Sequence, residues 1–111
     1  MKPVDRLITL QPPYYAVVFT SIRSDGDNSG YSEMADRMRS LASEQPGFLG
    51  FETARQDIGI SISYWASLDD IRAWKENISH RQAQERADDW YQSFRVRICR
   101  VEREYGSSVT S

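Results

Sequence analysis

The chain contains a single histidine, His80, and a single cysteine, Cys99. A lone Cys has no internal disulfide partner, and a lone His without a cysteine cluster builds no structural zinc site. His80 is therefore the one side chain whose ordinary pKa lets it exchange a proton near neutral pH. It lies in Ser79-His80-Arg81-Gln82, which has capping-box form, so a helix is expected to restart at about residue 79. The positive end of a helix dipole disfavours an imidazolium and keeps the ring neutral. A neutral imidazole can take a proton as a general base. The alternative role is a polar residue that helps separate two helices.

The surroundings of His80 are aromatic. Trp74 precedes it by six residues, and Asn77 and Arg81 flank the break. In an unbroken helix, positions six apart point about 120° away from each other. Trp74 and His80 thus share a pocket only if the break re-aims the histidine. Trp65, Tyr64, Trp90 and Tyr91 complete an aromatic set. Small-molecule sites are commonly aromatic-lined concavities with a few polar groups; each of these rings serves equally well in a core. Asn77 and Arg81 have donors for a ligand oxygen, or solvent as the plain alternative. Glu52, among the apolar neighbours of FLGFETAR, needs a partner. An ion pair with Arg95, Arg97, Arg100 or Arg103, across the sheet or a dimer interface, is expected. Cys99 in RVRICRV is expected to be buried and structural. The glycines of SDGDNSG lack a following Lys-Ser/Thr, so this stretch is a loop and not a phosphate cradle.

Regular elements must position these residues. Pro12 and Pro13 close an N-terminal arm over 1–13. Tyr14 to Ile22 is rich in β-branched and aromatic residues and is expected as a strand. In the helix expected over Tyr31 to Gln45, Tyr31, Met34, Ala35, Met38, Leu41 and Ala42 form one apolar stripe, ended by Pro46-Gly47. Phe48 to Gln56 and Ile60 to Trp65 form a hairpin through Asp57-Ile58-Gly59. Along the second strand, Ile60, Ile62 and Tyr64 face one way and Ser61, Ser63 and Trp65 the other. Ser67 caps a helix with Asp69 and Asp70 in its first turn and Leu68, Ile71, Trp74 and Ile78 on its inner face. The segment restarting near 79 is expected to turn Ala83, Ala87, Trp90 or Tyr91, and Phe94 inward. A last strand then runs from Phe94 or Arg95 to Glu104, followed by a tail over 106–111.

The order β-α-β-β-α-(α)-β predicts an α+β, ferredoxin-like domain over 14–105, with a four-stranded antiparallel sheet and helices on one face. Its length of 111 residues suits one domain, and 27% charged with 40% hydrophobic residues is a globular balance. A formal net charge of -2 gives no general attraction to nucleic acid or anionic lipid. No apolar run reaches the length of a membrane span, and residues 1–15 lack the apolar core of a signal peptide. With one unpaired Cys, a cytoplasmic location is expected. Helices cover only one sheet face, so the other must meet water or a partner. A two-fold homodimer, sheet on sheet, is expected.

The stretches QPGFLGFETARQ and GISISYWASLDDIRAWKENISHRQAQERADDWYQSFRVRICRVEREY resemble the antibiotic biosynthesis monooxygenase family. The signals are Pro46-Gly47-Phe48, Tyr64-Trp65 followed by Ser67, Trp74 six before His80, and Trp90-Tyr91 leading into a strand with Val101-Glu102-Arg103. The resemblance spans roughly residues 14–105. It implies two ferredoxin-like protomers forming a dimeric α/β barrel. It also implies a cofactor-independent monooxygenase that oxidises a small phenolic or quinol-like aromatic with O2. On that reading His80 is the base, Trp74, Trp65 and Trp90 bind the substrate, and Asn77 or Arg81 orients it. Haem-degrading enzymes share the superfamily fold and use an Asn on the first strand; YYAVVFTSIR has none, which ranks haem lower. A third reading is a non-catalytic dimer that binds a small ligand or serves a stress response.

Overall fold

The computed structural model describes residues 7–24, 30–77 and 90–107. Four strands and two helices follow one another as β1 (Tyr14–Arg23), α1 (Tyr31–Ser43), β2 (Phe48–Arg55), β3 (Gly59–Trp65), α2 (Leu68–Lys75) and β4 (Tyr91–Val101). The strands form one sheet in the order β2-β3-β1-β4. Every pairing is antiparallel. This is the expected ferredoxin-like arrangement. The restart expected near 79, and with it Ile78, Ala83 and Ala87, lies outside the described residues.

Register explains why the two sheet faces differ. Val17 sits opposite Ser63 and Ile98, and Tyr15 opposite Trp65. These residues share the face that receives the helices. Trp65 (0% exposed) and Ile71, Trp74 and Ala42 from the helices form the core, with Tyr15, Val17, Met38, Leu41 and Phe48 packed around it. Trp65 stacks on Trp74 at 6.1 Å between centroids and meets Phe48 edge-on at 5.5 Å. Its indole N–H donates to Ser63 Oγ at 2.9 Å, so the polar edge of a fully buried ring is satisfied.

Local chemistry sets the helix ends. Ser67 Oγ accepts the Asp70 backbone N–H at 3.1 Å and donates to the Asp70 carboxylate at 2.8 Å. This reciprocal cap starts α2 where Ser67, Asp69 and Asp70 predict it. The chain leaves α1 through Gly47 at φ 83°, in the left-handed region. Its carbonyl accepts the Ala66 N–H at 2.8 Å and ties the entrance of β2 to the end of β3.

Four expectations are corrected. The last strand begins at Tyr91, so Tyr91 and Phe94 belong to β4 and not to a helical stripe. Pairing of Tyr91 with Arg23 and Phe94 with Ser21 satisfies backbone groups that a helix would have satisfied internally. Leu68 is 49% exposed, because it is the first residue of α2 and lies away from the core. Cys99 is exposed: it stands opposite Ala16 and alternates with Val96 and Ile98, sharing a face with Arg95 and Arg97. Within its own chain Glu52 is held by Tyr64 and the Ile8 amide, in place of an arginine across the sheet.

The face turned away from the helices carries Tyr14, Ala16, Glu52 and Tyr64 at one end. Residues 7–13 cross this end as a strap. The Ile8 N–H donates to Glu52 Oε2 and the Leu10 N–H to Glu104 Oε2, both at 2.9 Å. Tyr64 donates to Glu52 Oε1 at 2.5 Å, and Tyr14 to Glu104 Oε1 at 2.6 Å. Each carboxylate therefore accepts one phenol and one amide. The two phenol rings meet edge-on at 5.6 Å.

Candidate functional site

A cavity of about 300 Å3 opens between the helix-side sheet face and the helices. That is the lower end of the roughly 300–1,000 Å3 typical of small-molecule clefts. Val17, Phe19 and Phe51 form its floor, and Met34 and Met38 of α1 its roof. Trp74 closes it from α2, and Trp90 and Tyr91 from the start of β4. Long, unbranched methionines among aromatic rings make an adaptable wall. The lining suits a flat apolar ligand.

The site residues expected from sequence have separate positions. Trp74 and Trp90 line the cavity, and both are buried, at 7% and 2% exposure. Trp65 lies behind Trp74 in the core and is not among the described lining residues. Asn77 follows α2, where its N–H donates to the Trp74 carbonyl at 3.0 Å. His80 and Arg81 lie outside the described residues.

Few polar groups reach the cavity. Thr53 donates to the Ile60 carbonyl, so the Ser61 hydroxyl serves as donor to Thr53 Oγ1 at 3.0 Å. Ser63 accepts the Trp65 indole N–H. Arg39 lies over the Phe51 ring at 4.8 Å from its centroid, at the exposed rim. At the β4 end, Tyr91 donates to the Tyr31 hydroxyl at 3.1 Å. The Tyr31 ring is clasped by the Arg23 guanidinium at 3.4 Å from its centroid and by Trp90 edge-on at 5.8 Å. Burial first, and then the hydrogen bond to Tyr31, hold the Tyr91 phenol well above its ordinary pKa. Sequence reading assigned Tyr31 to the apolar stripe of α1 alone. No spacing signal joins two tyrosines 60 positions apart.

Among the described residues, no group of three or more His, Cys, Asp or Glu could hold a metal ion, and no helix is long and apolar enough to cross a membrane.

An α+β layer whose helices enclose an aromatic cavity over an antiparallel sheet defines a small domain of ferredoxin-like class. The family described as antibiotic biosynthesis monooxygenase matches residues 13–86. The chain belongs to that family. It is 48% identical over 99 residues to the uncharacterized protein YqjZ of Bacillus subtilis, covering 86% of each chain. Among solved structures it resembles SnoaB, a cofactor-independent oxygenase from Streptomyces nogalater. That match has a TM-score of 0.72 at 12% identity, covering 86% of this chain and 100% of that one. It also resembles PA3566 from Pseudomonas aeruginosa, with a TM-score of 0.69 at 10% identity, covering 87% and 100%. At these identities the structural likeness concerns the fold.

Proposed function

We infer that this protein is a cofactor-independent monooxygenase of a small phenolic or quinol-like aromatic, working as a cytoplasmic homodimer. The observation that carries this reading is the aromatic cavity beneath Trp74 and Trp90 in a chain of this family. Removing a proton from such a substrate leaves an electron-rich anion that reduces O2 directly. If an activated methylene becomes a carbonyl, one oxygen atom enters the product and the other leaves as water. The substrate supplies the electrons, and the protein has to remove a proton, exclude water and hold the ring. His80 is the proposed base, supported by its position six residues after Trp74. Trp74 and Trp90 hold the ring plane, Trp65 backs Trp74, and Asn77 and Arg81 lie near enough in sequence to orient a substrate oxygen.

Support for the dimer comes from the sheet face opposite the helices. Beyond the strap it carries Ile60 at 43% exposure and Ile22 at 39%, apolar surface that a second copy would bury.

The test is oxygen uptake by metal-stripped protein on a panel of anthrones and hydroquinones. Turnover that falls by about a hundredfold or more in His80→Ala is expected from loss of a general base. Absence of turnover across the panel, or equal turnover by His80→Ala, overturns the assignment.

A further inference from the structure

We propose that the Tyr31 hydroxyl is the cavity's hydrogen-bond donor to a ligand oxygen, and that the site selects small aromatics bearing an accepting oxygen, a quinone carbonyl or a phenolate. This rests on the cavity used in the functional reading and names the chemical group it recognises.

The argument follows the protons. Tyr91 spends its proton on the Tyr31 oxygen. Tyr31 keeps its own, and no acceptor for it lies within hydrogen-bond distance among the described residues. Tyr31 lines this largely apolar cavity; a phenol proton left unpaired on such a wall is costly, and a ligand oxygen would satisfy it. The ring has little freedom to turn elsewhere. Arg23 covers one face, and Trp90 and Tyr91 meet it edge-on at 5.8 and 5.7 Å. Tyr91 is itself fixed edge-on against Phe19 at 5.2 Å. Tyr91 is thus a positioning residue, and Tyr31 is the group that touches ligand. An accepting hydrogen bond also polarises Tyr31 and strengthens its donation.

Among the lining hydroxyls Ser63 is the competing donor, because it accepts from Trp65 and retains a proton on the cavity floor. The experiment separates the two. Naphthalene, 1-naphthol and 1,4-naphthoquinone are titrated into the wild-type protein, Tyr31→Phe, Tyr91→Phe and Ser63→Ala, with tryptophan fluorescence quenching as the readout. Wild type is expected to prefer naphthoquinone to naphthalene. Tyr31→Phe should weaken naphthoquinone about 3- to 10-fold, the worth of one net hydrogen bond, and leave naphthalene unchanged. Tyr91→Phe should weaken naphthoquinone about twofold, since the donor remains but loses its support. Naphthalene affinity reports whether each variant retains the cavity, and wild-type selectivity stands without any variant. The proposal is overturned if wild type binds no probe or shows no preference for oxygen, if Tyr31→Phe retains the preference, or if Ser63→Ala carries the loss instead. Binding is read without turnover, so a silent oxygen electrode defeats the functional reading and leaves this one intact.

Discussion

Two of the tyrosines with raised pKa values spend their protons on carboxylates, and the third on another phenol. Tyr14 is 6% exposed. Burial, then donation to Glu104, then the negative charges of Glu104 and Glu52 push its pKa up to about 12 from 10. Tyr64 is raised further, by burial, by donation to Glu52 and by the Glu52 charge. An unfolded chain lacks these effects, so the native state holds these protons more tightly. The linked stability is fully present below the unfolded pKa near 10 and is lost as pH rises through the native values. Thermal unfolding is therefore expected to be nearly independent of this group up to about pH 10 and to fall from there toward pH 12. Tyrosine absorbance should show Tyr14, Tyr64 and Tyr91 ionising late. Tyr14→Phe should flatten part of the alkaline fall; an unchanged slope in that variant would refute the linkage. None of this was legible in sequence. Glu52 announced only that it needed a partner, and the partners came from a ring 12 residues on and an amide 44 residues back.

Elements were easier to read than the contacts between them. Period-two alternation in GISISYW placed Trp65 and Ser63 on one face, and the core confirms it. Ser67 with two acidic residues marked the start of α2. The failure at Tyr91 has a physical origin. Aromatic residues three apart share a face in a helix but not in a regular strand; the register shift at Ile22/Arg23 puts Tyr91 and Phe94 on one face of β4, and that pairing with β1 is remote in sequence. Cys99 failed for a related reason: Val96 and Ile98, which made its context look apolar, are on the other face. The turn at Gly47 is an element-scale constraint that sequence did mark, though not its cause. A Cβ there would run into the Asp70 side chain, on a backbone already at positive φ. Gly47→Ala is expected to cost about 1–3 kcal/mol, from left-handed strain plus displacement of the Asp70 cap. Urea unfolding should show a lower midpoint with an unchanged slope. Gly106→Ala, with nothing within 4 Å of its Cβ, serves as the neutral comparison. A Gly47→Ala midpoint equal to wild type would show that the turn relaxes freely.

At the scale of the whole molecule, the sheet presents one face to its own helices and must account for the other. The strap over 7–13 answers at one end, where Ile8 packs against Gly50 and the two glutamates receive its amides. At the other end the surface exposes Ile60 and Ile22, with Ile60 opposite Thr20 on β1 and Thr20 in turn opposite Arg95 on β4. Isoleucine at the centre, with arginine two strands away, gives an interface an apolar centre and a charged border. If the proposed dimer stacks sheet on sheet, the strap limits how far one copy can slide over the other, and Ile60 falls within the contact. Ile60→Arg should then shift the protein from dimer to monomer in light scattering at micromolar concentration, because it places like charges across a two-fold axis. Thr53→Arg, on the helix-side face of the neighbouring strand, should leave the assembly unchanged. A wild-type monomer, or a dimer indifferent to Ile60→Arg, would remove this face from the assembly and leave the bare isoleucines as solvent-exposed surface.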